Sequence, residues 1–473
     1  MSHAGSLAHS VLDSLCPWME KQRWFGDRGR AVTKVEIDAS SVLGGSLELA
    51  IVGIDFSEGE RSRYFLPLIE SQDPPAGAGI AQLPGGAWAA DAVRFPEALE
   101  LLASFLEVEG HQGDLTALRT LAHAKGELRP LRVGSLEQSN SAFFLGTGGF
   151  AKVFRHLPEG TSPDWEIGKF LAGSKARVPA TLSGLLLEGV APEPLVLVQV
   201  WQQVEGGLDA WSHSQTLLSE LLAPGVPSEL AGEEPAVGWC RQLGVRTGEL
   251  HRVLVGDVST PGFVPEALSE SFLETAAGKS QALGRSALEQ LETTLPSLAE
   301  ADAALARQIL SRRDAVLERL GTAPSVDPSV VRIRCHGDYH LGQILWTSGD
   351  AVILDFEGEP ARTLAERRIL QSPLKDVAGM LRSFDYAAQA ALKTTGGCRK
   401  TALCWRDAAS QAFLSGYLAA VMGTPLVPSD ASEFRALLDF HVAEKLLYEL
   451  HYELGHRPDW VSIPLQGLAA LTA

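Results

Sequence analysis

The stretch from Arg334 to Pro360, which reads RCHGDYHLGQILWTSGDAVILDFEGEP, constrains this chain more than any other part of its sequence. Short apolar segments at residues 344–347 and 351–355 predict two strands, and Ser348-Gly349-Asp350 between them predicts a tight turn. A hairpin of this kind brings the loops before and after it close together. Those loops carry three side chains with oxygen atoms, namely Asp338, Gln343 and Asp355.

Two carboxylates and an amide with this spacing suit the transfer of a phosphoryl group to a hydroxyl. That reaction needs one carboxylate to orient the hydroxyl and accept its proton, and oxygen ligands to hold Mg²⁺ on nucleotide phosphates. In the catalytic loop of kinases, a metal-binding amide follows the catalytic Asp by the same step that separates Asp338 from Gln343. The sequence therefore predicts Asp338 as the catalytic base and Gln343 and Asp355 as the ligands of Mg²⁺.

Other interpretations of this stretch stay open. His336, Asp338 and His340 alternate along the chain, and His and Asp at alternate positions suit Zn or Fe. A transition-metal centre or a metal-dependent phosphohydrolase would need further ligands, and the sequence has no second tight His/Asp cluster. The polar groups could also satisfy one another in a buried loop, as in a non-catalytic kinase-like scaffold.

Composition and cysteine usage exclude several classes of protein. The 473 residues include 58 acidic and 40 basic ones, and the net charge of −18 argues against a general binder of nucleic acid or membrane surfaces. The 5 cysteines are scattered without a Cys-x-x-Cys pair, which is typical of a reduced cytoplasmic protein without structural zinc. The N-terminus lacks a signal-peptide pattern and no long apolar run is present, so we expect no membrane span.

The N-terminal part of the chain predicts a small antiparallel sheet packed on a helix within residues 8–25. Its strands are expected at Val32–Ser40, Leu47–Phe56 and Arg61–Ile69. Residues 73–87, which are rich in Pro, Gly and Ala, predict a flexible loop. We expect an α+β chain divided into a cap at residues 1–94, a small lobe at 95–201 and a mainly helical C-terminal lobe at 202–473.

The small lobe carries candidate nucleotide-binding groups. Lys152 lies within the apolar strand FAKVF, where kinases place a phosphate-binding lysine paired with a helical Glu, and Glu166 in the next predicted helix is a fitting partner. A loop at residues 137–141 could donate hydrogen bonds to phosphate, and the main chain at the end of the apolar strand 195–201 could contact adenine. The candidates are Ser139, Asn140, Ser141, Lys152, Glu166, Gln199, Val200 and Trp201.

The last long predicted helix, residues 433–454, places His441, Lys445, Tyr448 and Tyr452 on one face. Such a stripe suits a sugar, because rings stack on C–H faces while polar groups bond the hydroxyls. An ordinary solvated face has the same periodicity, so the pattern alone leaves both interpretations open. His251 is interpreted as a packing histidine, and Asp376 as either a brace of the catalytic loop or a helix cap.

Together these motifs resemble those of bacterial maltokinases, including the maltokinase portions fused to trehalose synthase, over nearly the whole chain. His336-Gly337-Asp338 alone would indicate only the wider aminoglycoside-kinase-like group, whereas the run from Asp355 to Tyr386 is much more specific. The other motifs that carry the resemblance are Gln22-Arg23-Trp24-Phe25, Glu137-Gln138-Ser139-Asn140, Pro163-Asp164-Trp165-Glu166, Glu444-Lys445 and Arg457-Pro458-Asp459-Trp460.

The resemblance implies a bilobal protein-kinase-like fold with an added N-terminal α/β cap. It implies ATP- and Mg²⁺-dependent phosphorylation of maltose at its anomeric hydroxyl, in α-glucan synthesis from trehalose, with trehalose synthase as a partner to test. Related kinases with the same cap phosphorylate glucosamine, which is the alternative acceptor. We expect Asp338, Gln343 and Asp355 to share one cavity facing Lys152. The implied acceptor contacts are Asp338, His340, Glu357, Arg368, Lys445 and Tyr448.

Overall fold

The computed structural model describes residues 6–44, 46–107, 110–112, 114–120, 130–133, 140–146, 148–256 and 259–471. It divides into two compact units. The first comprises Met1–Gly173, Pro179–Glu205 and Thr363–Glu366, and the second comprises Ser174–Val178, Gly206–Arg362 and Arg367–Ala473. The predicted cap falls within the first unit, as does the predicted small lobe apart from Ser174–Val178, and the boundaries proposed for them from the sequence stay predictions.

The first unit begins with helices packed on an antiparallel sheet. Its elements are α1 (Leu7–Ser10), α2 (Leu12–Met19), β1 (Val32–Leu43), β2 (Leu47–Phe56), β3 (Arg61–Ser71), β4 (Gly79–Gln82), β5 (Trp88–Asp91) and α3 (Pro96–Leu106). The strands run in the order β1-β2-β3-β5-β4. Successive side chains of β2 point to opposite faces: Ala50 and Val52 pack with α2, whereas Leu49 and Ile51 pack with α3. Covering both faces explains why this strand is almost entirely apolar.

The three predicted strands of this sheet are confirmed, while the loop predicted at residues 73–87 is partly wrong. Gly79–Gln82 forms β4, which pairs with β5. Ile80 and Ala81 are buried in the core that α2 forms with the sheet. The Pro- and Gly-rich composition predicts a loop, but a neighbouring strand and helix bury these two apolar residues. Tertiary packing therefore overrides the local turn signals here.

A second sheet completes the first unit. Its elements are β6 (Gly110–Gln112), β7 (Leu115–Arg119), β8 (Pro130–Val133), β9 (Ser141–Leu145), β10 (Gly149–Val153), α4 (Pro163–Leu171), β11 (Thr181–Leu187) and β12 (Leu195–Gln202). The strands run in the order β6-β7-β11-β12-β10-β9-β8. The apolar run at residues 195–200 forms the central β12 and is fully buried, as its near-continuous hydrophobicity predicts.

The second unit is mainly helical. Its elements, with the short α10 at its border, are β13 (Leu208–Asp209), α5 (Ala210–Leu221), α6 (Glu234–Leu254), β14 (Glu266–Ala267), α7 (Glu270–Thr294), α8 (Glu300–Ser311), α9 (Arg313–Gly321), β15 (Val331–Arg332), β16 (Ile344–Thr347), β17 (Asp350–Ile353), α10 (Leu364–Arg367), α11 (Leu374–Thr395), α12 (Arg399–Val421), α13 (Ala431–His456) and α14 (Ser462–Leu471). The predicted hairpin is confirmed, since β16 pairs with β17. Within the described ranges, no helix is both long enough and apolar enough to cross a membrane.

Helices α6 and α12 approach each other closely because glycines face the contact. A Cβ atom on Gly244 of α6 would lie 2.0 Å from the carbonyl oxygen of Phe413, and one on Gly416 of α12 would lie 2.1 Å from that of Arg241. Any larger residue at either position would push the helices apart. This close pair holds His251 and Tyr417, which contact the helix beneath the catalytic loop.

Candidate active site

The loop before β16 is held by one carboxylate of α11. Asp376 accepts hydrogen bonds from the main-chain N–H of His336 at 2.8 Å and of Gly337 at 3.0 Å. Burial raises the pKa of Asp376, but the hydrogen bond and charge of His251 and the bonds from the loop outweigh it and lower the pKa below its ordinary value. Asp376 makes no capping hydrogen bond to its own helix. Of the two predicted roles, Asp376 therefore braces the loop and does not cap its own helix.

His251 is fully buried, as expected of a packing histidine, but its ring also forms hydrogen bonds at both ends. Its Nε2 lies 3.1 Å from Asp376 Oδ2, and its Nδ1 lies 3.1 Å from the hydroxyl of Tyr417. A buried carboxylate needs such partners to remain charged. The brace therefore extends from the catalytic loop through Asp376 and His251 to α12.

The rest of the loop lies directly on α11. The main-chain N–H of Leu341 donates to Ser383 Oγ at 3.0 Å. A Cβ atom at Gly379 would lie only 2.6 Å from the carbonyl oxygen of Tyr339, so glycine is required for this approach. The hydroxyl of Tyr339 is 2.7 Å from Thr247 Oγ1 on α6. These contacts fix the backbone on both sides of Asp338.

Asp338 and His340 lie next to each other on this loop. Asp338 Oδ2 is 3.8 Å from His340 Nε2, and the Asp338 side chain is 23% exposed, so a small molecule can reach it. Burial lowers the pKa of His340, more than Asp338 and Asp355 raise it. The imidazole is therefore neutral near pH 7 and can hydrogen-bond an uncharged hydroxyl.

The two predicted metal ligands are in direct contact. Gln343 Nε2 donates a hydrogen bond of 2.9 Å to Asp355 Oδ2, and the main-chain N–H of Leu354 donates to the carbonyl oxygen of Gln343 at 2.8 Å. The pairing of Ile344 with Ile353 at the open end of the hairpin produces this arrangement. A carboxylate oxygen of Asp355 also lies within 4.8 Å of one of Glu357. Such a group of carboxylate and amide oxygens is the donor set that Mg²⁺ prefers.

Lys445 of α13 contacts an acidic side chain and an aromatic ring. Its Nζ is 3.4 Å from Glu359 Oε1 and 4.6 Å from the centre of the Tyr448 ring. Burial lowers the pKa of Lys445, but the charges of Glu359, Asp338 and Glu449 outweigh it and raise the pKa above its ordinary value. Lys445 is therefore an ammonium ion at neutral pH.

The helical stripe predicted on α13 has two different parts. His441 is buried, and its Nδ1 lies 3.3 Å from Glu444 Oε2. Tyr448 and Tyr452 stack at 6.3 Å with 19° between their planes, and 37% of Tyr452 is exposed. Only the C-terminal part of the stripe thus offers aromatic faces at the surface. Arg368, also predicted as an acceptor contact, is half-buried, and its carbonyl oxygen accepts from Arg334 Nη1 at 3.4 Å.

In the first unit, Lys152 lies opposite Gln199 in the pairing of β10 with β12. Its Nζ is 3.9 Å from Asp164 Oδ2, and the Asp164 side chain is almost fully buried. Sequence reasoning chose Glu166, two residues further along α4, and missed Asp164. The partnership of Lys152 with Glu166 and its placement facing Asp338 stay predictions.

The predicted phosphate loop adjoins a buried arginine. Asn140 Oδ1 accepts from the main-chain N–H of Arg155 at 3.2 Å, and Ser141 Oγ accepts from Arg155 Nε at 2.9 Å. Arg155 also forms a 2.7 Å ion pair with Asp91. The side chains of Asn140 and Ser141 thus order the strand segment after β10. Ser139 lies outside the described residues.

The adenine contacts predicted at Gln199, Val200 and Trp201 fall on residues that pair within the sheet. β12 pairs with β10 on one side and with β11 on the other through all three residues, so their main-chain groups are engaged within the sheet. The strand predicted at residues 195–201 continues to Gln202. Contact of these residues with a base stays a prediction.

Two family comparisons address the identity of the chain. Residues 130–397, more than half of its length, match the phosphotransferase enzyme family. The chain belongs to this family. Residues 18–94 match the maltokinase N-terminal cap domain. Both matches confirm the resemblance to maltokinases within the aminoglycoside-phosphotransferase group that the sequence motifs indicate.

Curated relatives and solved structures agree with this family. The phosphotransferase is 25% identical over 343 residues to the glucosamine kinase of Streptacidiphilus jiangxiensis, covering 70% of each chain. It is 28% identical over 353 residues to that of Mycolicibacterium smegmatis, covering 74% of this chain and 80% of the relative. A solved glucosamine kinase in complex with glucosamine, ADP and inorganic phosphate aligns over 99% of both chains, with a TM-score of 0.69 and 21% identity. A further solved crystal form of a glucosamine kinase aligns with a TM-score of 0.71. The predicted kinase-like fold with an N-terminal cap is confirmed.

Sequence reasoning missed a chain of charges beside the acceptor-site candidates of this phosphotransferase. Glu359 bonds Arg362 Nε at 2.5 Å as well as Lys445. Lys375 donates to Glu444 at 2.7 Å. Burial raises the pKa of Glu444, but Lys375 and His441 outweigh it and lower the pKa well below its ordinary value. The adjacent pair Glu444-Lys445 indicates charged groups at this position, but their partners Lys375 and Glu359 are distant in the sequence.

Proposed function

We propose that this phosphotransferase is an ATP-dependent sugar kinase that phosphorylates maltose at its anomeric hydroxyl and releases maltose 1-phosphate. The observation that carries the proposal is the position of Lys445, whose Nζ lies 3.4 Å from Glu359 Oε1 and 4.6 Å from the centre of the Tyr448 ring, and whose pKa the charge of Asp338 helps to raise. A cation and a ring suited to a sugar face thus lie together in the second unit.

Asp338 would act as the catalytic base. Its carboxylate would accept a hydrogen bond from the attacking hydroxyl and take its proton as the bond to phosphorus forms. The main chain on either side of Asp338 is held by Asp376, Ser383 and Thr247. Such rigidity favours catalysis, because a prearranged carboxylate needs no reorganisation during the transfer.

Gln343 and Asp355 would hold Mg²⁺, with Glu357 close enough to contribute. The fit rests on their oxygen donors and on the hydrogen bond that locks the Gln343 amide against Asp355. When bound, Mg²⁺ neutralises charge on the nucleotide phosphates. In the first unit, Lys152 would contact an ATP phosphate, with Asp164 and Glu166 as its acidic partners, and Ser139 to Ser141 would line the phosphate loop.

The acceptor-site candidates offer partners for the hydroxyls of a neutral sugar. Lys445 stays protonated at neutral pH and is paired with Glu359, and its remaining donors would bond maltose hydroxyls. His340, Glu357 and Arg368 would supply further hydroxyl contacts. Glucosamine remains the second candidate acceptor because the curated relatives are glucosamine kinases.

The maltokinase cap also supports maltose as the acceptor. A maltokinase would place this chain in α-glucan synthesis from trehalose, with trehalose synthase as a candidate partner. A non-catalytic scaffold is disfavoured, because Asp338, Gln343 and Asp355 are all present and Gln343 bonds Asp355 directly. A kinase fold that has become inactive would be expected to have lost at least one of these three side chains.

The test is a sugar panel with ATP and Mg²⁺, followed by phosphorus NMR of the products. We expect ADP to form only when an acceptor is present, and the maltose product to show a phosphorus signal coupled to the anomeric proton. Preference for glucosamine would replace maltose by the second candidate. ADP formed without any acceptor would indicate a phosphohydrolase, and no turnover with any sugar would indicate a scaffold.

A further inference from the structure

A cavity of about 410 Å³ lies at the end of α11 opposite to the catalytic loop. It is bounded by the last turns of α11, the start of α12 and the start of α14. Leu392, which lines it, lies roughly 20 Å along the helix axis from Gly379, where α11 contacts the catalytic loop. Small-molecule sites typically enclose about 300–1,000 Å³, so this cavity is large enough for a ligand of its own.

One wall of the cavity is the fixed ring of Trp460. Tyr386 stacks on Trp460 at 6.3 Å with only 10° between the planes, and the Tyr386 hydroxyl donates to Glu453 at 3.0 Å. The Nζ of Lys393 lies 5.3 Å from the centre of the Trp460 ring. Tyr386 covers one face of the indole, and Lys393 and Arg457 also lie over the ring, with the Arg457 guanidinium 5.6 Å from its centre. Trp460 therefore gives the cavity a rigid apolar wall, and the C–H groups of a sugar can pack against the part of it that lines the cavity.

Two cations line the same cavity. Lys393 Nζ donates to the carbonyl oxygen of Asp459 at 3.0 Å, and Arg399 Nη2 donates to Gln466 Oε1 at 2.7 Å. Each of these bonds positions the cation and uses one donor, whereas an ammonium has three donors and a guanidinium has five. Two positioned cations with further donors suit a phosphate group, which accepts several charge-assisted hydrogen bonds.

The remaining polar wall suits hydroxyl groups. Asp459, Gln389 and Ser462 also line the cavity. The Asp459 carboxylate would repel a bare anion, but it accepts hydrogen bonds from sugar hydroxyls, and the amide of Gln389 can both donate and accept. A ligand with an anionic end and a neutral hydroxylated ring therefore matches this wall better than inorganic phosphate does.

We propose that this cavity binds a hexose monophosphate, with the phosphate at Lys393 and Arg399 and the sugar ring against the wall that Trp460 forms. The site is distinct from the acceptor-site candidates around Asp338 and Lys445. The proposal does not depend on which sugar the enzyme phosphorylates, because it rests on residues outside the catalytic loop and outside α13.

The test uses the full chain and glucose 6-phosphate as the probe in isothermal titration calorimetry. We expect saturable binding to the wild type that is weakened about tenfold or more in Lys393→Gln, Arg399→Gln and Trp460→Leu. Lys400→Gln is the matched control, since Lys400 is exposed beside Arg399 but does not line the cavity. It should bind as the wild type does. Circular dichroism confirms that each variant is folded.

Glucose and inorganic phosphate, titrated separately, should each bind at least about tenfold more weakly than glucose 6-phosphate. Three results would overturn the proposal. The first is the absence of saturable binding by glucose 6-phosphate. The second is binding that survives Arg399→Gln unchanged, because the ligand would then occupy another site. The third is Arg399-dependent binding of inorganic phosphate or AMP that is tighter than that of glucose 6-phosphate, which would assign the cavity to a different ligand.

Discussion

Gln343 Nε2 donates a 2.9 Å hydrogen bond to Asp355 Oδ2 across the open end of the β16–β17 hairpin. If both side chains hold Mg²⁺, Gln343→Ala removes one ligand and also the hydrogen bond from Gln343 to Asp355. We expect the Mg²⁺ concentration for half-maximal turnover to rise about tenfold or more, and Gln343→Asn to retain part of the affinity. Gln308→Ala, an exposed change in α8, is the control. An unaltered Mg²⁺ requirement in Gln343→Ala would remove this residue from the metal site.

Asp376 is predicted to support catalysis from beneath the loop. Asp376→Asn cannot accept from both His336 and Gly337, because one oxygen becomes an amide donor, and an unpaired buried N–H costs about 1–3 kcal/mol. We expect kcat to fall about tenfold or more while the KM for ATP changes little. The exposed Asp407→Asn should behave as the wild type. If kcat were retained in Asp376→Asn, the brace would have a structural role only.

Lys445 is predicted to bind the acceptor rather than the nucleotide. Lys445→Ala removes the ammonium beside Glu359 and Tyr448, so we expect the KM for the sugar to rise about tenfold while the KM for ATP stays within about twofold. Steady-state kinetics with each substrate varied in turn measures both values. Lys279→Ala, an exposed change on α7, serves as the control. An equal rise in both KM values would place Lys445 outside the acceptor site.

The half-buried pair of Glu444 and Lys375 predicts a pH-dependent contribution to stability. The folded protein lowers the pKa of Glu444 below its ordinary value of 4.5. The stabilisation is therefore fully present above that value and is lost as the pH falls through the folded-state pKa. Chemical denaturation should show Glu444→Gln to be less stable than the wild type at pH 7, with a smaller difference below about pH 4. A difference that stays constant with pH would contradict this.

Local patterns predicted the catalytic stretch well. The hairpin, its turn and the contact of Gln343 with Asp355 follow from strands that are adjacent in sequence. The hydrogen bonds from the loop to Asp376 could not be predicted, because the sequence does not show which helix packs against the loop. The contact of Glu359 with Lys445 could not be predicted either, because 86 residues separate them. Neither relationship has a periodic signal in the sequence, because both depend on how distant helices pack.

The errors have equally physical causes. β4 was missed because Pro and Gly dominate residues 73–87, while burial of Ile80 and Ala81 decides the local structure. Asp164 was not singled out because the side of α4 that faces Lys152 depends on how the helix packs, while the pairing of Glu166 with Lys152 stays a prediction. The end of β12 was placed one residue too early, because the strand continues to Gln202 between two partner strands, while contact of Gln199, Val200 and Trp201 with adenine stays a prediction.

Asp338→Asn tests the central claim, which is that Asp338 is the base for transfer of the ATP phosphoryl group to a sugar. The substitution keeps the size of the side chain and removes its ability to accept a proton. Single-turnover transfer to maltose should fall by about a hundredfold or more, as expected for loss of a general base, while ATP binding measured by calorimetry stays unchanged. Transfer at the wild-type rate by the folded variant would contradict the account.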